Sequence, residues 1–277
     1  MQPLVSVLIH ETRDGLQAVR CVQELQQQTV ASRLEIIVID NCSRDDSVGI
    51  LRNRLRRFPN VRIVESPRVW GFGRGLKEGA RFASAPYLFI NNASKILQRD
   101  GIGRLVAKME SDPSIGILAP KLLHDDGTIR TSARTFPAPI DVIAKRSVLR
   151  HLFAGRLRRY LQADTDPDAE RDVDWVVGGC FLIRRDLFGE LRGFDPRFRL
   201  FFEDTDLCRR VWRAGKRVVY CPQVSGRDRK RRLSDGGVLA LLCTRLGRAH
   251  VWSGVRYFRK WGVSVPRKTL DPRHVRL

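Results

Sequence analysis

The sequence lacks the features that mark membrane-spanning, secreted or zinc-binding proteins. Its apolar runs fall short of the ~18 residues that a membrane helix needs, and the longest candidate covers only residues 238–243. Residues 1–5 lead directly into a strand-like run without the basic and apolar regions of a signal peptide, so we expect a cytoplasmic chain. The 6 cysteines form no Cys-x-x-Cys pair and no zinc-like spacing, which favours free buried thiols.

Acidic residues are scarce relative to basic ones. The 277 residues include 51 Lys+Arg and 30 Asp+Glu, a formal net charge of +21, and residues 226–277 hold 14 basic against 3 acidic side chains. This excess favours anionic partners such as nucleic acid, an anionic membrane surface or phosphorylated substrates. We expect no specific nucleic-acid binding, because the sequence has no helix-turn-helix signal and no basic strand interleaved with aromatic residues.

Apolar strands and amphipathic helices alternate along the first half of the chain. Residues 5–9 and 34–39 have the β-branched character of buried strands, and residues 16–28 between them repeat Leu and Val at helical spacing. A parallel crossover needs about a dozen residues, so this pattern predicts a βαβ unit and one large α/β domain. Further strands are predicted at residues 61–64, 87–90, 115–120, 173–183 and 218–220, and helices at residues 45–57, 101–111 and 207–214.

Polar side chains follow the first two strands, where ligands bind in open parallel sheets. His10, Glu11 and Asp40 are therefore expected to converge on one crevice. After the third strand, residues 70–75 predict a glycine-rich loop leading into a helix that runs to about residue 84. The loop is either a tight turn with close helix packing or a diphosphate contact with Arg74 as counter-charge. Its place after the third strand argues against a dinucleotide fingerprint.

Residues 173–215 combine an apolar, glycine-containing segment with a cluster of carboxylates. Glu203, Asp204 and Asp206 lie within four residues at a predicted helix start. Either Asp204 and Asp206 cap the helix, or a carboxylate there performs acid–base chemistry. In the basic tail, residues 238–261 predict an amphipathic helix. That helix either docks on the domain with a solvated basic face or lies on an anionic membrane surface.

The order of these motifs resembles the inverting glycosyltransferases of family 2, especially the rhamnosyltransferase-like branch that builds bacterial surface polysaccharides. The matching segments are residues 5–9, 35–43, 71–75, 173–179, 193–198 and 202–207. The resemblance implies the α/β GT-A fold, with a mainly parallel central sheet flanked by helices. It implies a glycosyltransferase domain over residues 1–225, with a nucleotide-sugar half (1–95) and an acceptor and base half (96–225), followed by a basic amphipathic extension over residues 226–277.

The resemblance also implies roles for individual residues. The positions that it assigns to a nucleoside-diphosphate sugar are Glu11, Asp40, Gly71, Arg74, Asn91, Asn92 and Ser94. Asp204, or failing it Glu203, would be the catalytic base, held in its charged form by the first turn of a helix. Trp175, Gly178 and Gly179 would shape the acceptor side, with Trp175 either a sugar platform or part of the core.

The resemblance implies transfer of a deoxyhexose such as rhamnose, or another hexose, to a saccharide or lipid-linked acceptor in cell-surface polysaccharide synthesis. The enzyme would lie in the cytoplasm, peripheral to the inner face of the plasma membrane. One departure concerns the cofactor: Ala93 stands where the family usually has the Asp that holds Mg²⁺ or Mn²⁺. Either basic side chains such as Arg74, Lys95 or Arg227 replace the cation, or the chain is a catalytically silent relative that binds saccharide or a partner enzyme.

Overall fold

Strands and helices alternate through the first half of the chain, as the hydrophobic pattern predicts. The computed structural model describes residues 2–11, 13–145, 151–229 and 244–263. The strands are β1 Val5–Glu11, β2 Leu34–Asp40, β3 Val61–Glu65, β4 Tyr87–Asn92, β5 Lys95–Leu97, β6 Ile115–Leu123, β7 Ile129–Arg130, β8 Ala133–Arg134, β9 Arg171–Asp172, β10 Trp175–Val176, β11 Cys180–Arg184 and β12 Arg217–Asp228. The helices are α1 Gly15–Leu25, α2 Ser47–Leu55, α3 Phe72–Gly79, α4 Gly101–Ser111, α5 Pro139–Ala144, α6 Ala154–Tyr160, α7 Arg185–Glu190, α8 Glu203–Arg213 and α9 Arg245–Trp261, with 3₁₀ turns at Ala31–Arg33 and Ala80–Phe82.

The central sheet is parallel in its first half and mixed in its second. Its strand order is β3-β2-β1-β4-β11-β6-β12-β5, with β7 paired to β6 and β9 to β12, while β8 and β10 form a separate ribbon. Strands β1 to β4 run parallel, whereas β11 is antiparallel to both β4 and β6. In this register Glu11 lies opposite Asp40, and His10 lies opposite Asn92. The carboxyl ends of β1, β2 and β4 therefore meet at one edge.

Two apolar layers cover the two faces of the sheet. Because side chains alternate along a strand, Val7 and Ile9 pack with α1, α2 and α4, whereas Leu8 packs with α3, α7 and α8. The five cysteines that the structure describes are free, as expected from their spacing; four of them are buried, Cys42 is only partly buried, and Cys243 lies outside the described residues. The fold thus has helices on both faces of the sheet and its polar strand ends at one edge.

The glycine-rich segment is mostly helix rather than loop, which corrects the prediction. Helix α3 begins at Phe72, so only Gly71, with a φ of 82°, lies in the preceding turn. A Cβ on Gly75 would lie 2.6 Å from His10 Cδ2, and one on Gly73 would lie 3.3 Å from Glu203 Cβ. These two glycines let α3 approach β1 and α8 closely, and the 3₁₀ turn ends this helical stretch at Phe82 rather than near residue 84.

Three boundaries in the second half of the chain also differ from the prediction. The strand expected over residues 173–183 is interrupted by Gly178 and Gly179, which connect β10 to β11. Helix α8 begins at Glu203 rather than at residue 207, so the carboxylate cluster forms its first turn. Strand β12 continues to Asp228 because it pairs with β5 and β6 beyond Pro222, and the division predicted between residues 225 and 226 falls inside it.

The basic C-terminal helix, α9, docks on the domain through a buried charged and aromatic contact. Tyr257 is fully buried and packs on the ring of Phe202, with centroids 5.2 Å apart. The Asp206 carboxylate, which is also fully buried, accepts hydrogen bonds from Lys260 Nζ at 2.6 Å and Trp261 Nε1 at 2.8 Å. The described part of the helix predicted over residues 238–261 is therefore docked on the domain. Its predicted first part, residues 238–243, lies outside the described residues.

Replacing Asp206 by Ala should destabilise the protein strongly. The substitution removes the buried counter-charge of Arg210 and leaves Lys260 with Asp195 alone, and removing one partner of a buried ion pair costs about 3–5 kcal/mol. Urea unfolding measures this loss, and the exposed Asp125→Ala control should change the unfolding free energy by less than about 0.5 kcal/mol. Equal, small effects of both substitutions would contradict the structural role of Asp206.

Candidate active site

A cavity of about 260 Å³ lies between the end of β4, the first turn of α8 and the docked helix α9. Both signs of charge line it. Its acidic residues are Glu203, Asp204 and Asp228, its basic residues are Lys95, Arg130, Arg134 and Lys145, and its aromatic walls include Phe72, Tyr160, Trp175, Phe201 and Phe202. Such a mixture suits a ligand that carries both a negatively charged group and polar rings.

Asp204 is held at the cavity wall by two backbone N–H groups. Gly178 N donates to Asp204 Oδ2 at 2.6 Å, and Thr205 N donates to Asp204 Oδ1 at 2.8 Å. Burial raises the pKa of Asp204, while these N–H donors act to lower it. The expectation that the first turn of the helix holds Asp204 in its charged form is opposed by this burial and supported by the two N–H donors. A carboxylate with this balance is a stronger proton acceptor than an exposed aspartate.

Glu203 is the neighbouring carboxyl, and burial disfavours its charged form. Its side chain is buried, and among the described residues its Oε2 atom has no hydrogen-bond partner. Burial, followed by the nearby charge of Asp204, raises the pKa of Glu203 well above its ordinary value. Two buried carboxyls at adjacent positions cannot both ionise without a large electrostatic cost. Of the two, Asp204 has the N–H donors that stabilise a negative charge.

A strained turn directly before α8 sets the orientation of these carboxylates. Phe201 and Phe202, directly before α8, both have left-handed backbone conformations, with φ values of 68° and 65°. Such conformations cost non-glycine residues roughly 1–3 kcal/mol each and persist where the surroundings enforce them. Here the rings of both residues pack against His250 of α9, with centroids 4.5 Å and 5.3 Å apart. Helix α9 thus helps to fix the direction in which Asp204 points.

The end of β4 supplies one cavity residue and several supporting ones. Asn92 lines the cavity and donates its backbone N–H to Gly179 O at 2.7 Å. Asn91 points away from the cavity, since its Nδ2 donates to Cys21 Sγ and Lys95 O, both at 3.2 Å. Ala93 packs in the core and is only 8% exposed. Of the predicted donor residues here, only Asn92 and Ser94 therefore face the cavity.

The residues present do not fit a carboxylate-bound metal ion. Within residues 2–11, 13–145, 151–229 and 244–263, there is no group of three or more His, Cys, Asp or Glu side chains that could hold one. The carboxylate near Asn92 is Asp228, and its Oδ2 already contacts Arg130 Nε at 2.9 Å and Lys95 Nζ at 3.5 Å. Ser94 Oγ donates to the other oxygen, Oδ1, at 3.0 Å. Near Asn92, two cations of the protein therefore surround this carboxylate.

This Lys95–Arg130–Asp228 cluster presents an excess of one positive charge to the cavity. Lys95 and Asp228 are almost completely buried, and Arg130 is one-tenth exposed. Burial lowers the pKa of Lys95, and the charge of Asp228 acts in the opposite direction. Gly179, with a φ of 93°, leaves room for the cluster, because a Cβ there would lie 3.2 Å from Lys95 Nζ. The cluster is suited to an anion with several oxygens.

Trp175 belongs to both the core and the cavity wall. It is 6% exposed, and its Nε1 donates to Thr135 O at 2.7 Å. The guanidinium of Arg134 lies 5.1 Å from the Trp175 ring centroid and 5.8 Å from that of Tyr160. Arg134 Nε is buried without a hydrogen-bond partner among the residues that the structure describes. This part of the wall therefore combines ring surface with an unused buried donor.

Comparison with known proteins identifies the family. Residues 16–192 match the sequence profile of "Glycosyl transferase family 2", which is more than half of the chain. The chain belongs to glycosyl transferase family 2. It is 30% identical over 202 residues to an "N-acetylglucosaminyl-diphospho-decaprenol L-rhamnosyltransferase" of Mycobacterium tuberculosis, covering 68% of this chain and 64% of that protein. This family 2 chain thus spans less than two thirds of the mycobacterial relative's length.

Other relatives agree with this family. The rhamnosyltransferase WbbL of Escherichia coli is 29% identical over 202 residues, covering 68% of this chain and 70% of that protein. A crystal structure of GalNAc-T7 with UDP, GalNAc and Mn²⁺ superposes with a TM-score of 0.68 at 19% identity, covering 94% of this chain and 48% of that one. The mannosyltransferase PcManGT of Pyrobaculum calidifontis, solved with GDP-Man and Mn²⁺, superposes with a TM-score of 0.59 at 18% identity, covering 84% of this chain and 59% of that one. These likenesses confirm the GT-A fold.

The two carboxylates predicted at the nucleotide edge of this family 2 fold lie together, outside the cavity. Glu11 and Asp40 are buried neighbours at the ends of β1 and β2. Glu11 accepts hydrogen bonds from Asp14 N and from Ser43 Oγ, and Ser43 N donates to Asp40 Oδ2 at 3.2 Å. Burial raises the pKa of Glu11 to about 7, and the neighbouring Asp40 also raises it. Burial also lowers the pKa of His10 to about 4, so His10 is neutral at pH 7.

Two predicted basic residues lie outside the cavity, and several unpredicted residues line it. Arg74 is not part of the cavity wall, and Arg227 is exposed because side chains alternate along β12, which turns Asp228 inward instead. The alternation of side chains along a strand could have predicted from the sequence that Asp228 faces inward. The unpredicted cavity residues come from the segment 121–172, where the sequence shows no regular pattern and therefore gave no such signal. They are Arg130, Arg134, Lys145 and Tyr160.

In the described part of the chain, no helix combines the length and apolar character needed to span a bilayer.

The raised pKa of Glu11 should make stability depend on pH. Its folded pKa of about 7 exceeds an unfolded value of about 4.3, so the folded state holds a proton that the unfolded state releases. Stability from this group is complete below about pH 4.3 and is lost as the pH rises through about 7. Relative to Glu11→Gln, the wild type should lose unfolding free energy across this window in urea titrations. Exposed Glu24→Gln should leave the wild-type pH profile unchanged; parallel profiles for Glu11→Gln and wild type would contradict the assignment.

Proposed function

We propose that this chain is an inverting glycosyltransferase that moves a deoxyhexose such as rhamnose, or another hexose, from a nucleoside-diphosphate sugar to a saccharide or lipid-linked acceptor in cell-surface polysaccharide synthesis. The observation that carries this proposal is the single cavity in which Asp204 and the Lys95–Arg130–Asp228 cluster both take part. A proton acceptor and an excess of positive charge are what displacement of a nucleoside diphosphate requires. The names of the mycobacterial and E. coli relatives support rhamnose as the sugar.

In the proposed reaction, Asp204 is the catalytic base. The acceptor hydroxyl oxygen forms a bond to the anomeric carbon of the donor, while the bond from that carbon to the nucleoside diphosphate breaks on the opposite face. The hydroxyl proton passes to Asp204, and the bonding electrons leave with the diphosphate, so the anomeric centre inverts. Glu203, held protonated by burial, keeps the negative charge on Asp204. Gly178 fixes the orientation of the carboxylate through its N–H.

The Lys95–Arg130–Asp228 cluster takes the part of the divalent cation, so transfer does not require a metal. A divalent ion held by one carboxylate has one net positive charge, and so do two protein cations around Asp228. Guanidinium and ammonium groups bind phosphate oxygens through charge-assisted hydrogen bonds. In this proposal Asn92 and Ser94 lie at the diphosphate, Glu11 and Asp40 at the nucleoside, and Gly71 and Arg74 at the edge between them. Trp175, Gly178 and Gly179 shape the acceptor side.

A second candidate function follows from Ala93, which is packed in the core where the family has its metal ligand. On that interpretation the chain is catalytically silent and binds saccharide or a partner enzyme. Calorimetric titration with a panel of nucleotide sugars, with and without Mn²⁺, separates the two functions. Binding without Mn²⁺ supports the transferase, and absence of binding under both conditions supports the silent relative.

The proposed location is the inner face of the plasma membrane. Helix α9 exposes the basic residues Arg248, Arg256 and Arg259 and the aromatic Trp252, which is 63% exposed. Arginine and tryptophan are favoured at anionic lipid interfaces. Peripheral attachment in the cytoplasm would bring the cavity, whose wall includes His250 of α9, close to a lipid-linked acceptor.

Asp204→Asn should lower kcat by about 10²- to 10⁴-fold, the usual contribution of a general base. The amide keeps the shape and can still accept the Gly178 hydrogen bond, so nucleoside-diphosphate affinity and melting temperature should change little. Release of nucleoside diphosphate from the donor panel with a lipid-linked acceptor measures the rate. Asp125→Asn is a matched exposed control. Full activity in Asp204→Asn would remove Asp204 as the base.

Lys95→Met should weaken binding of the nucleoside diphosphate by roughly ten- to a hundredfold, because a hydrogen bond to a charged group contributes about 1.5–3 kcal/mol. Methionine retains the apolar stem but not the ammonium. Wild-type transfer and binding should be unchanged by EDTA. Lys108→Met, which removes a surface partner of Glu170, is the control. Activity that disappears with EDTA and returns with Mn²⁺ would contradict the metal-free proposal.

A further inference from the structure

An apolar groove lies beside the catalytic cavity, between α5 and α9. Its volume is about 420 Å³, and its lining is almost entirely apolar, with Ile143 on α5 facing Val255 and Phe258 on α9. Ile143 is 58% exposed and Val255 is 43% exposed, which is unusual for aliphatic side chains that adjoin one another. The described residues leave this concave apolar surface open to solvent, so its shape and composition suit an apolar chain.

The groove is continuous with the cavity. Val142 and His250 line both of them, so they form a shared wall. Lys145, which follows Val142 by three residues at the end of α5 and so lies on the same face of the helix, also lines the cavity. Along the connected surface the chemistry therefore changes from the carboxylate of Asp204, through a cationic region at Lys145, to aliphatic and aromatic side chains.

Helix α9 contacts the domain and the groove with different side chains. Tyr257 and Trp261 face the domain and are buried. Val251 and Val255, with Phe258 one turn further, share the face that lines the groove. Phe258 also packs on Phe202 and Tyr257 of the docking contact, whereas Val251 and Val255 are exposed and lie outside that cluster. A substitution of Val255 can therefore test ligand binding without removing the docking contacts.

We infer that this groove binds the polyisoprenoid chain of a lipid-diphosphate-linked acceptor. The order of chemistry along the surface matches that of such a molecule: a saccharide hydroxyl at Asp204, a diphosphate at the cation Lys145, and an apolar chain between Ile143 and Val255. Arg259 borders the same groove, which keeps its rim cationic. The inference rests on the proposed transferase function and adds the surface that binds the apolar chain of a lipid-linked acceptor.

Two other occupants fit the geometry less well. A bilayer contact needs an outward convex or flat apolar face, whereas this surface is a concave groove with an end at the catalytic cavity. A second copy of the chain would not require the shared wall of Val142 and His250, nor a cation between the carboxylate and the apolar surface. The polyisoprenoid chain explains all three observations.

The first test measures binding without catalysis. The full chain is irradiated with a geranylgeranyl diphosphate that carries a diazirine near the end of its chain, and labelled peptides are identified by mass spectrometry. Labelling should fall within residues 139–145 and 250–259, and a long-chain polyprenyl phosphate should compete, whereas inorganic diphosphate should not remove it. Labels distributed elsewhere, or no saturable labelling, would overturn the inference even if the chain transfers sugar.

The second test uses chain length. Two acceptors with the same saccharide diphosphate, one with a short alkyl chain and one with a long polyprenyl chain, are compared in the same detergent. Burial of even two methylene groups should raise kcat/KM for the long acceptor by at least about tenfold, equal to about 1.4 kcal/mol. Val255→Asp should abolish this preference and leave the short acceptor unchanged. Phe82→Asp, at a side chain that is also 43% exposed but lies outside both surfaces, should retain it.

The outcomes separate the inference from the proposed function. If wild type transfers sugar equally well to both acceptors, the transferase function stands and the groove proposal is wrong. If neither acceptor reacts while labelling of the groove saturates, the binding site stands and the transferase function is wrong. Loss of vesicle binding or of self-association in Val255→Asp, with chain-length preference intact, would assign the groove to a membrane or to a second copy and overturn the inference.

Discussion

The buried carboxylate of Asp206 is the interaction on which the arrangement of the site depends. It receives hydrogen bonds from Lys260 and Trp261 and thereby holds α9 against α8. The position of α9 sets His250 against Phe201 and Phe202, whose left-handed backbone turns the chain into α8. Two residues before Asp206, Asp204 points to the other side of the same helix and into the cavity. One turn of helix therefore combines the anchor of α9 with a carboxylate of the candidate active site.

Burial gives the carboxylates of this turn different properties. Asp206 is fully buried and paired with cations, Asp204 is buried against backbone N–H donors, and Glu203 is buried against an adjacent negative charge. Because desolvation penalises charge at each position, the available donors decide which group ionises. The same logic applies at Asp228, where two cations surround a single carboxylate. The site thus has local charges of opposite sign at its two ends, although the whole chain is strongly basic.

The strand ends and their polar residues could be predicted because they follow from local patterns. Glu11, Asp40 and Asn92 come at the ends of apolar runs, and parallel pairing brings such ends to one edge. Arg130 and Lys145 could not be predicted in this way, since they reach the cavity from a segment without regular periodicity. Asp228 faces the cavity instead of the predicted Arg227 because successive side chains along a strand lie on opposite faces of the sheet.

By itself, the sequence determined the alternation of strands and helices, the family, and the carboxylates of the α8 turn, because these depend on short-range periodicity and on motif order. Only the tertiary structure decided which of Glu203, Asp204 and Asp206 faces the cavity, since three neighbours on a helix point in different directions and their partners come from distant segments. It also decided that Gly73 and Gly75 serve helix packing, and that Lys95 and Arg130 meet at Asp228. Those contacts join residues far apart in the chain, so no local pattern could encode them.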